Sequence, residues 1–336
     1  MLSEISWIQG QERVKLKMSI LEVKGLRTYF NISGKTARVV DGISFSLEKG
    51  KTMALVGESG CGKTITSLSI TGLVPEPNGY IAGGSIQYKN RDLTKLHYSQ
   101  MKTIRGRCIS MIFQEPMTAL NPVFTIGTQI MESVLAHEKI PVPEARDRCI
   151  KMLKEVGIPA PEMRFLEYPH QLSGGMKQRV MIAIALITNP DILIADEPTT
   201  ALDVTIQAQI IDLLKKMQAQ YGTSLLLITH DLGLVAEIAD TITIMYAGKV
   251  AEQGDVNKIF KNPSHPYTVG LFGSLPYMHS PGERLHSIKG VVPQAFDFPP
   301  GCRFRTRCPE AKDICKKEPD LKKIKNGVTC ACHFRK

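Results

Sequence analysis

The sequence predicts an α/β protein with a mainly parallel sheet, because short apolar runs stop abruptly at polar residues and helix-length segments separate them. In open α/β sheets, ligands bind in the crevice outside the carboxyl ends of the strands. The polar residues after each run should therefore meet at one site. The four runs are 53–57, 108–113, 192–195 and 225–228.

Composition is compatible with a globular chain of about two domains. The 336 residues are 43% hydrophobic and 22% charged, which allows a sizeable core. The longest apolar candidate, "VMIAIALI", is far shorter than the roughly 18 residues that a membrane-spanning helix needs. The N-terminal segment lacks the apolar centre of a secretory signal, so we expect a cytosolic chain with reduced thiols.

The first apolar run leads into "GESGCGKT", which fits the phosphate-binding pattern G-x-x-x-x-G-K-[ST] and precedes a helical pattern. In this pattern backbone amides wrap the phosphates, Lys63 reaches the outer phosphates and the Thr64 hydroxyl ligates Mg²⁺. Only the backbone of Cys61 needs to take part. The predicted nucleotide contacts are Gly57, Glu58, Ser59, Gly60, Cys61, Gly62, Lys63 and Thr64.

The other three runs each end at residues that suit ATP hydrolysis. Gln114 can contact Mg²⁺ and water, Asp196 can hold the Mg²⁺ hydration shell, and Glu197 can orient and deprotonate the attacking water. His230 alone is more often structural, but at a strand end beside the others it becomes a candidate γ-phosphate contact.

A second anion site is predicted at "LSGGMKQRV", where Ser173, Gly174 and Gly175 precede a helix. The alternative is an ordinary capped helix start. Since the chain already has one phosphate loop, a second anion site would best complete the site of a facing subunit.

Taken together, "GESGCGKT", Gln114, "LSGGMKQR", "ILIADEP", "ALD" and "TH" resemble, in this order, the motifs of ABC transporter ATPases over about residues 18–260. The resemblance implies a P-loop ATPase core with a mixed sheet and a helical subdomain. It also implies a head-to-tail pair of ATPase subunits, in which the partner's signature segment closes each ATP site. Asp203, in the "ALD" segment, is predicted among the nucleotide-binding residues, although it also suits an N-terminal cap of the next helix.

The same resemblance implies a residue for adenine and a contact for the membrane partners. Phe30 matches the aromatic position that stacks on adenine, with Tyr29 as the alternative. Met176 stands where many relatives have Gln, a form common in the peptide-importer branch. The helical segment after Gln114 is expected to touch two membrane permease subunits, although composition alone shows only a helical insertion.

After about residue 262, prolines interrupt the helix and strand patterns. "NPSHPYTVGLFGSLP" and "FPPGCRFRTRCP" resemble the C-terminal region of the ATPase subunits of oligopeptide and dipeptide importers. Residues 302–336 carry eleven Lys or Arg against four Asp or Glu, although the whole chain has a net charge of only +10. This tail could be simply a solvated basic segment, or its charge could compensate an anionic group.

Four cysteines with the spacing C-x₅-C-x₆-C-x₁₆-C favour a [4Fe–4S] cluster, because zinc sites usually contain C-x₂₋₄-C. The arginines among them could compensate its negative charge. Zinc and free thiols remain alternatives, and so does Cys330 as the fourth ligand, since it lies two residues from the last cysteine. The cluster would stabilise the fold of the tail or, alternatively, act as a redox sensor. The predicted ligands are Cys302, Cys308, Cys315 and Cys332.

These observations predict an ATPase subunit that energises dipeptide or oligopeptide import at the cytoplasmic face of the membrane. A substrate-binding protein and an identical or sister ATPase chain are expected as partners, and no nucleic acid. The alternatives are import of nickel, glutathione or oligosaccharides, and a soluble ATPase that acts on nucleic acid. We expect an extension or disordered start at 1–17, a nucleotide-binding domain at 18–262 with a helical subdomain at about 115–175, and a small cysteine-rich C-terminal domain at 263–336.

Overall fold

The computed structural model describes residues 19–114, 119–200, 202–275 and 287–336. The predicted extension at residues 1–17 and the first residue of the "ALD" segment lie outside these ranges. The strands are β1 (Ser19–Ile32), β2 (Lys35–Glu48), β3 (Thr52–Val56), β4 (Gly79–Tyr88), β5 (Arg91–Asp92), β6 (Ile109–Ile112), β7 (Ile192–Asp196), β8 (Ser224–Thr229), β9 (Thr241–Tyr246), β10 (Lys249–Asp255), β11 (Lys322–Lys323) and β12 (Thr329–Cys330).

Helices cover both sheets and build an arm between β6 and β7. They are α1 (Lys63–Thr71), α2 (Tyr98–Ile104), α3 (Ile126–Leu135), α4 (Val142–Glu155), α5 (Pro161–Arg164), α6 (Gly174–Leu186), α7 (Val204–Tyr221), α8 (Leu232–Ile238), α9 (Val256–Lys261) and α10 (Pro266–Phe272). None of the helices in the described ranges combines the length and apolar character that crossing a bilayer requires.

The larger sheet confirms the predicted parallel strands. Its order is β11-β12-β10-β9-β3-β8-β7-β6, and the five strands from β9 to β6 are all paired in parallel. Strands β3, β7 and β8 are buried along their whole length, as expected for strands covered on both faces. The remaining pairs, from β9 to β11, are antiparallel, so the sheet is mixed.

A second, antiparallel sheet has the order β2-β1-β4-β5. Its apolar side chains, such as Val23, Ile43 and Phe45, share one core with Leu55 of β3 and Ile194 of β7. The alternation of buried and exposed residues along β2 is the pattern of a strand with one face against a core. This packing fixes the position of β3 and of the phosphate loop that follows it.

The predicted helical segment after Gln114 forms α3, α4 and α5. Ile130, Val134 and Leu153 pack with Ile182 of α6 and Leu214 of α7 in a single core cluster. Thr125 begins α3 by accepting a hydrogen bond from the Thr128 amide. The arm is therefore joined by its apolar face to the helices that carry the predicted signature segment.

The C-terminal region was predicted to be a distinct domain, but its described residues pack on the larger sheet and do not show one. Strand β12 pairs with β10 and extends the larger sheet. Phe304 and Val328 are buried in the same cluster as Val56 of β3 and Ile244 of β9. A tail that is too short and proline-rich to build its own core has instead buried its apolar residues against the sheet.

Replacing Phe304 by Ala should destabilise the whole chain. The Phe304 ring is 3% exposed and lies 5.1 Å from the Tyr246 ring and 5.4 Å from the Tyr267 ring. Loss of such a ring from a packed core costs about 3 kcal/mol. Thermal unfolding followed by circular dichroism should show one transition at lower temperature. The control is Phe296→Ala, because Phe296 is 37% exposed. A separate unfolding transition for the tail would contradict the shared core.

Candidate nucleotide-binding site

The phosphate loop connects the carboxyl end of β3 to the start of α1. Lys63 is the first residue of α1, and its buried ammonium donates to the carbonyl oxygen of Gly57 at 2.8 Å and to that of Glu58 at 3.3 Å. These bonds hold the lysine over the loop where backbone amides and the helix N-terminus converge. This is the arrangement that binds phosphate groups.

Two glycines of the loop are required by close approach of the backbone. A Cβ atom at Gly57 would overlap the Met245 carbonyl oxygen, and one at Gly62 would lie 2.6 Å from the Val39 carbonyl oxygen. Gly62 also has a φ of 101°, which disfavours other residues. Cys61 is fully buried, and burial raises the pKa of its thiol. Its side chain is thus not available to a ligand, and the predicted backbone contact of Cys61 stays a prediction.

Asp196 is buried at the carboxyl end of β7, beside the start of α1. Its Oδ2 atom lies 3.4 Å from the Ser67 hydroxyl, and its Oδ1 atom has no hydrogen-bond partner among the described residues. Burial raises the pKa of Asp196 to about 6, although the Thr64 hydroxyl and the Lys63 ammonium favour the charged form. A buried carboxylate oxygen without a partner, next to a threonine hydroxyl, fits a hard cation such as Mg²⁺.

Glu197 joins the ends of three strands. Its Oε2 atom accepts from Gln114 Nε2 at 3.3 Å and from the Thr200 hydroxyl at 3.0 Å. Its Oε1 atom lies 3.3 Å from His230 Nδ1. Gln114 follows β6, Glu197 follows β7 and His230 follows β8, so the predicted convergence of strand ends is present in the geometry.

The backbone of Glu197 is held in a strained conformation. Its φ is +46°, in the left-handed region that non-glycine residues rarely occupy, while its amide donates to the Ile228 carbonyl oxygen at 2.8 Å. This turn sends the carboxylate of Glu197 towards Gln114 and His230, whereas the carboxylate of Asp196 stays buried by α1. The two adjacent acids consequently have different surroundings.

The predicted signature segment begins α6. Ser173 is exposed at the N-cap and accepts from the Met176 amide at 3.3 Å. Gly174 and Gly175 form the first turn, and Asp203 caps α7 by accepting from the Ile206 amide at 2.9 Å. In the described ranges no hydrogen bond connects Ser173, Gly174 or Gly175 to the phosphate loop. These residues do not complete this chain's own site, and their predicted role towards a partner stays a prediction.

The aromatic candidates for adenine lie near the end of β1. Phe30 is half-buried, and its ring occupies the space that a Cβ atom at Gly79 would need. The side chain of Tyr29 is held by other contacts, because its hydroxyl donates to Asp41 at 2.7 Å and its ring makes an edge contact with Tyr80. Phe30 is thus the less constrained of the two for stacking on a base.

Four of the five cysteines in the tail line one small cavity. His333 and Phe334 border the same cavity, whereas Cys330 is buried in β12 and does not line it. Burial raises the pKa of Cys302 to about 11, and the neighbouring thiols act in the same direction. The four cavity cysteines are those predicted as cluster ligands: Cys302, Cys308, Cys315 and Cys332.

No group of three or more His, Cys, Asp or Glu side chains within the described ranges is arranged to hold a metal ion. The predicted cluster is therefore not confirmed. The arginines beside the cysteines also differ from expectation. Arg303 forms an ion pair with Asp41, and Arg307 forms one with Glu58 at 2.7 Å. These cations neutralise carboxylates of the nucleotide-binding part and not the thiol cavity.

The C-terminal region makes contacts with the phosphate loop that the sequence does not predict. The buried Tyr267 hydroxyl accepts a hydrogen bond from the Glu58 amide at 2.9 Å. Arg307 lies 249 positions from Glu58 along the chain. The sequence signal for these contacts is the excess of basic residues near the cysteines.

Comparison with known proteins gives two family matches. The family model described as "ABC transporter" matches residues 40–200, and that described as "Oligopeptide/dipeptide transporter, C-terminal region" matches residues 251–315. The oligopeptide transport ATP-binding protein AppD of Bacillus subtilis is 52% identical, with 94% of this chain and 96% of AppD covered. The dipeptide transport ATP-binding protein DppD of Escherichia coli is 47% identical, with 94% and 97% covered.

Solved structures with the same fold cover the nucleotide-binding part. The ATP-binding cassette MJ0796, described as a dimer in a post-hydrolysis state with ADP and Pi, aligns with a TM-score of 0.63 and 26% identity over 70% of this chain and 98% of that one. CbiO1 of Clostridium perfringens, described as part of an ABC transporter complex, aligns with a TM-score of 0.63 and 28% identity over 73% and 91%. The ABC-type α/β fold is thus shown.

Replacing Asp196 by Asn should stabilise the nucleotide-free chain at neutral pH. Because the pKa of Asp196 is raised in the folded state, its protonated form is favoured there, and the free energy of unfolding falls as pH rises from about 4 to about 6. Above this range the charged side chain costs about 3 kcal/mol. Asp196→Asn should remove this cost of the buried charge to the free energy of unfolding. The melting temperature at pH 7.5, measured with EDTA present, should therefore rise.

The matched control is Asp212→Asn on the exposed face of α7, which should leave the pH dependence unchanged. If Asp196→Asn lowered the melting temperature at pH 7.5, or followed the wild-type pH profile, the assignment of a costly buried carboxylate would be wrong.

Proposed function

This chain belongs to the ABC transporter ATP-binding family, within the oligopeptide and dipeptide importer branch, and on that premise we propose that it is the ATP-hydrolysing subunit of a peptide importer. One observation supports the chemistry above all others: the carboxylate of Glu197 is contacted by both Gln114 and His230, and the three residues follow three different strands. The relatives named above are transport ATP-binding proteins. A soluble ATPase acting on nucleic acid is accordingly not supported.

Each residue of the site has a role in this proposal. Lys63 and the amides of the phosphate loop bind the β- and γ-phosphates, while Phe30 stacks on adenine. Glu197 orients a water and accepts its proton, and His230 and Gln114 hold the carboxylate and contact the γ-phosphate side. When bound through Thr64, Asp196 and Gln114, Mg²⁺ neutralises phosphate charge.

A second ATPase subunit completes the site. The exposed amides at the start of α6 and the Ser173 hydroxyl would bind the γ-phosphate held by the partner, with Asp203 at the shared interface. The described dimer of MJ0796 supports this arrangement by similarity. Because each nucleotide would contact both subunits, ATP binding favours the closed pair over the open one.

We place the chain at the cytoplasmic face of the membrane, peripherally bound to two permease subunits that receive substrate from a binding protein. Residues 18–262 would form the nucleotide-binding part, with a helical subdomain at about 115–175 that contacts the permease. The C-terminal match and the relatives favour peptides over nickel, glutathione or oligosaccharides. Cells that lack the chain should lose uptake of a labelled peptide, and expression of the wild-type chain should restore it.

Glu197→Gln should bind ATP but hydrolyse it at least 100-fold more slowly, because an amide cannot accept the proton of the attacking water. The variant should then accumulate as an ATP-bound pair, measured by size-exclusion chromatography with light scattering in Mg-ATP. Wild-type turnover in Glu197→Gln would disprove the assignment of Glu197 as general base.

We also propose that the cavity thiols ligate a [4Fe–4S] cluster, with zinc as the alternative occupant. All four cysteines of the predicted spacing line the same cavity. The thiolates of such a cluster bind different iron atoms. They therefore need not approach each other as closely as the ligands of one ion, which is compatible with the absence of a single-ion site in the described part of the chain.

Two cysteine variants separate the candidate fourth ligands. Cys332→Ala should lose most iron and acid-labile sulfide, because Cys332 lines the cavity, while Cys330→Ala should retain both, because Cys330 is buried in β12. The measurement is iron, sulfide and zinc per chain after oxygen-free purification. Zinc without sulfide in the wild type, or loss of iron in Cys330→Ala alone, would contradict the proposal.

A further inference from the structure

The segment between the first two cavity cysteines, which we call the Cys302–Cys308 loop, contacts the nucleotide site rather than only its own tail. Arg307 is the residue immediately before Cys308, and its side chain is 6% exposed. Its guanidinium faces Glu58, the second residue of the phosphate loop, whose side chain is 27% exposed. A cation this deeply buried must be compensated, so the choice of partner is informative.

The contact between Arg307 and Glu58 is bidentate. Nη1 of Arg307 lies 2.7 Å from Oε2 of Glu58, and Nη2 lies 3.3 Å from Oε1. The same guanidinium donates to the carbonyl oxygens of Lys289 at 3.0 Å and Gly290 at 3.2 Å. A paired guanidinium and carboxylate of this kind fixes orientation as well as distance. Glu58 is therefore held in one direction by a group outside the nucleotide-binding part.

The backbone of Glu58 is also held by the C-terminal region. Its amide donates to the hydroxyl of Tyr267 at 2.9 Å, and Tyr267 is fully buried against Phe304 of the Cys302–Cys308 loop. On its other side, the carbonyl oxygen of Glu58 accepts from Lys63, the residue expected to reach the outer phosphates. Any displacement of Glu58 would thus be passed directly to Lys63.

Arg303 anchors the other end of the same loop beneath the phosphate loop. It pairs with Asp41 and donates to the carbonyl oxygen of Ala247. The next residue, Gly248, donates through its amide to the carbonyl oxygen of Cys61 at 3.0 Å. The Cys302–Cys308 loop consequently supports the phosphate loop at two points, near its beginning and near its end.

We propose that Arg307 is a positioning residue for ATP, which acts through Glu58 to hold the phosphate loop and Lys63 in their binding conformation. This inference rests on the proposed ATPase function and adds to it that the C-terminal region sets the affinity of the nucleotide site. Arg307 does not touch the reacting atoms. Its loss should weaken binding of nucleotide and leave the chemical step nearly intact.

The test compares Arg307→Met with Arg305→Met in the full chain. Arg305 lies in the same loop, two residues away, and its side chain has no hydrogen bond or ion pair within the described ranges. Binding of the fluorescent analogue mant-ATP with Mg²⁺ gives Kd, and steady-state hydrolysis gives KM and kcat. Arg307→Met should raise Kd and KM about tenfold with kcat within about twofold, because a charge-assisted hydrogen-bonded pair is lost. Arg305→Met should change none of them by more than about twofold.

Two further variants separate positioning from general loss of structure. Arg307→Lys should bind nucleotide more tightly than Arg307→Met but less tightly than the wild type, because lysine keeps the positive charge but cannot form the bidentate contact. Glu58→Gln should raise KM in the same way, and the double variant Glu58→Gln with Arg307→Met should be no worse than Arg307→Met alone, since both changes break one contact. If Arg307→Met fails to unfold cooperatively, Glu58→Gln alone decides the question.

The possible outcomes distinguish this inference from the function on which it rests. A wild-type chain that neither binds nor hydrolyses ATP would overturn both. Normal wild-type hydrolysis with equal KM in Arg307→Met and Arg305→Met, or normal affinity in a folded Glu58→Gln variant, would overturn the positioning role alone. A selective fall in kcat at unchanged KM would also contradict it.

Discussion

Five parallel strands that end at one edge of a buried sheet are the constraint on which the rest of the molecule depends. Because β3, β7 and β8 are covered on both faces, polar side chains gather where these strands end, at that edge. The phosphate loop, Asp196, Glu197 and His230 are neighbours for this reason. The antiparallel sheet and α1 then fix how far apart they lie.

The adjacent acids after β7 illustrate how small backbone differences separate chemical roles. Asp196 ends the strand and stays buried beside α1, where burial raises its pKa to about 6. The positive φ of Glu197 turns the next side chain towards Gln114 and His230. In the proposed function, one carboxylate would hold a cation and the other would orient a water, although the two residues are consecutive.

Much of this site could be predicted from the sequence because its signals are local. An apolar run followed by Gln114 or by Asp196 and Glu197 marks a strand end without any knowledge of the partner strands. The fourth cavity cysteine could not be chosen that way, since the spacing of Cys330 and Cys332 suggested that both face one side. β12 ends at Cys330, and the chain leaves the strand after it. Of these two cysteines, Cys332 lines the cavity and Cys330 does not. The pair between Arg307 and Glu58 was equally inaccessible, because it joins residues 249 positions apart.

The C-terminal region changes how the nucleotide site is understood. It was expected to be a separate domain, yet it extends the sheet through β12 and shares a core with β3. Arg303 and Arg307 form ion pairs with acids of the nucleotide-binding part. The central claim, that strand-end residues surround one cation and nucleotide, is tested most directly by a crystal structure with Mn²⁺ and a non-hydrolysable ATP analogue, in which anomalous scattering locates the cation. We expect Mn²⁺ in contact with the Thr64 hydroxyl and beside Asp196, with the γ-phosphate facing Glu197. A cation bound away from these residues, with Lys63 not contacting phosphate, would contradict it.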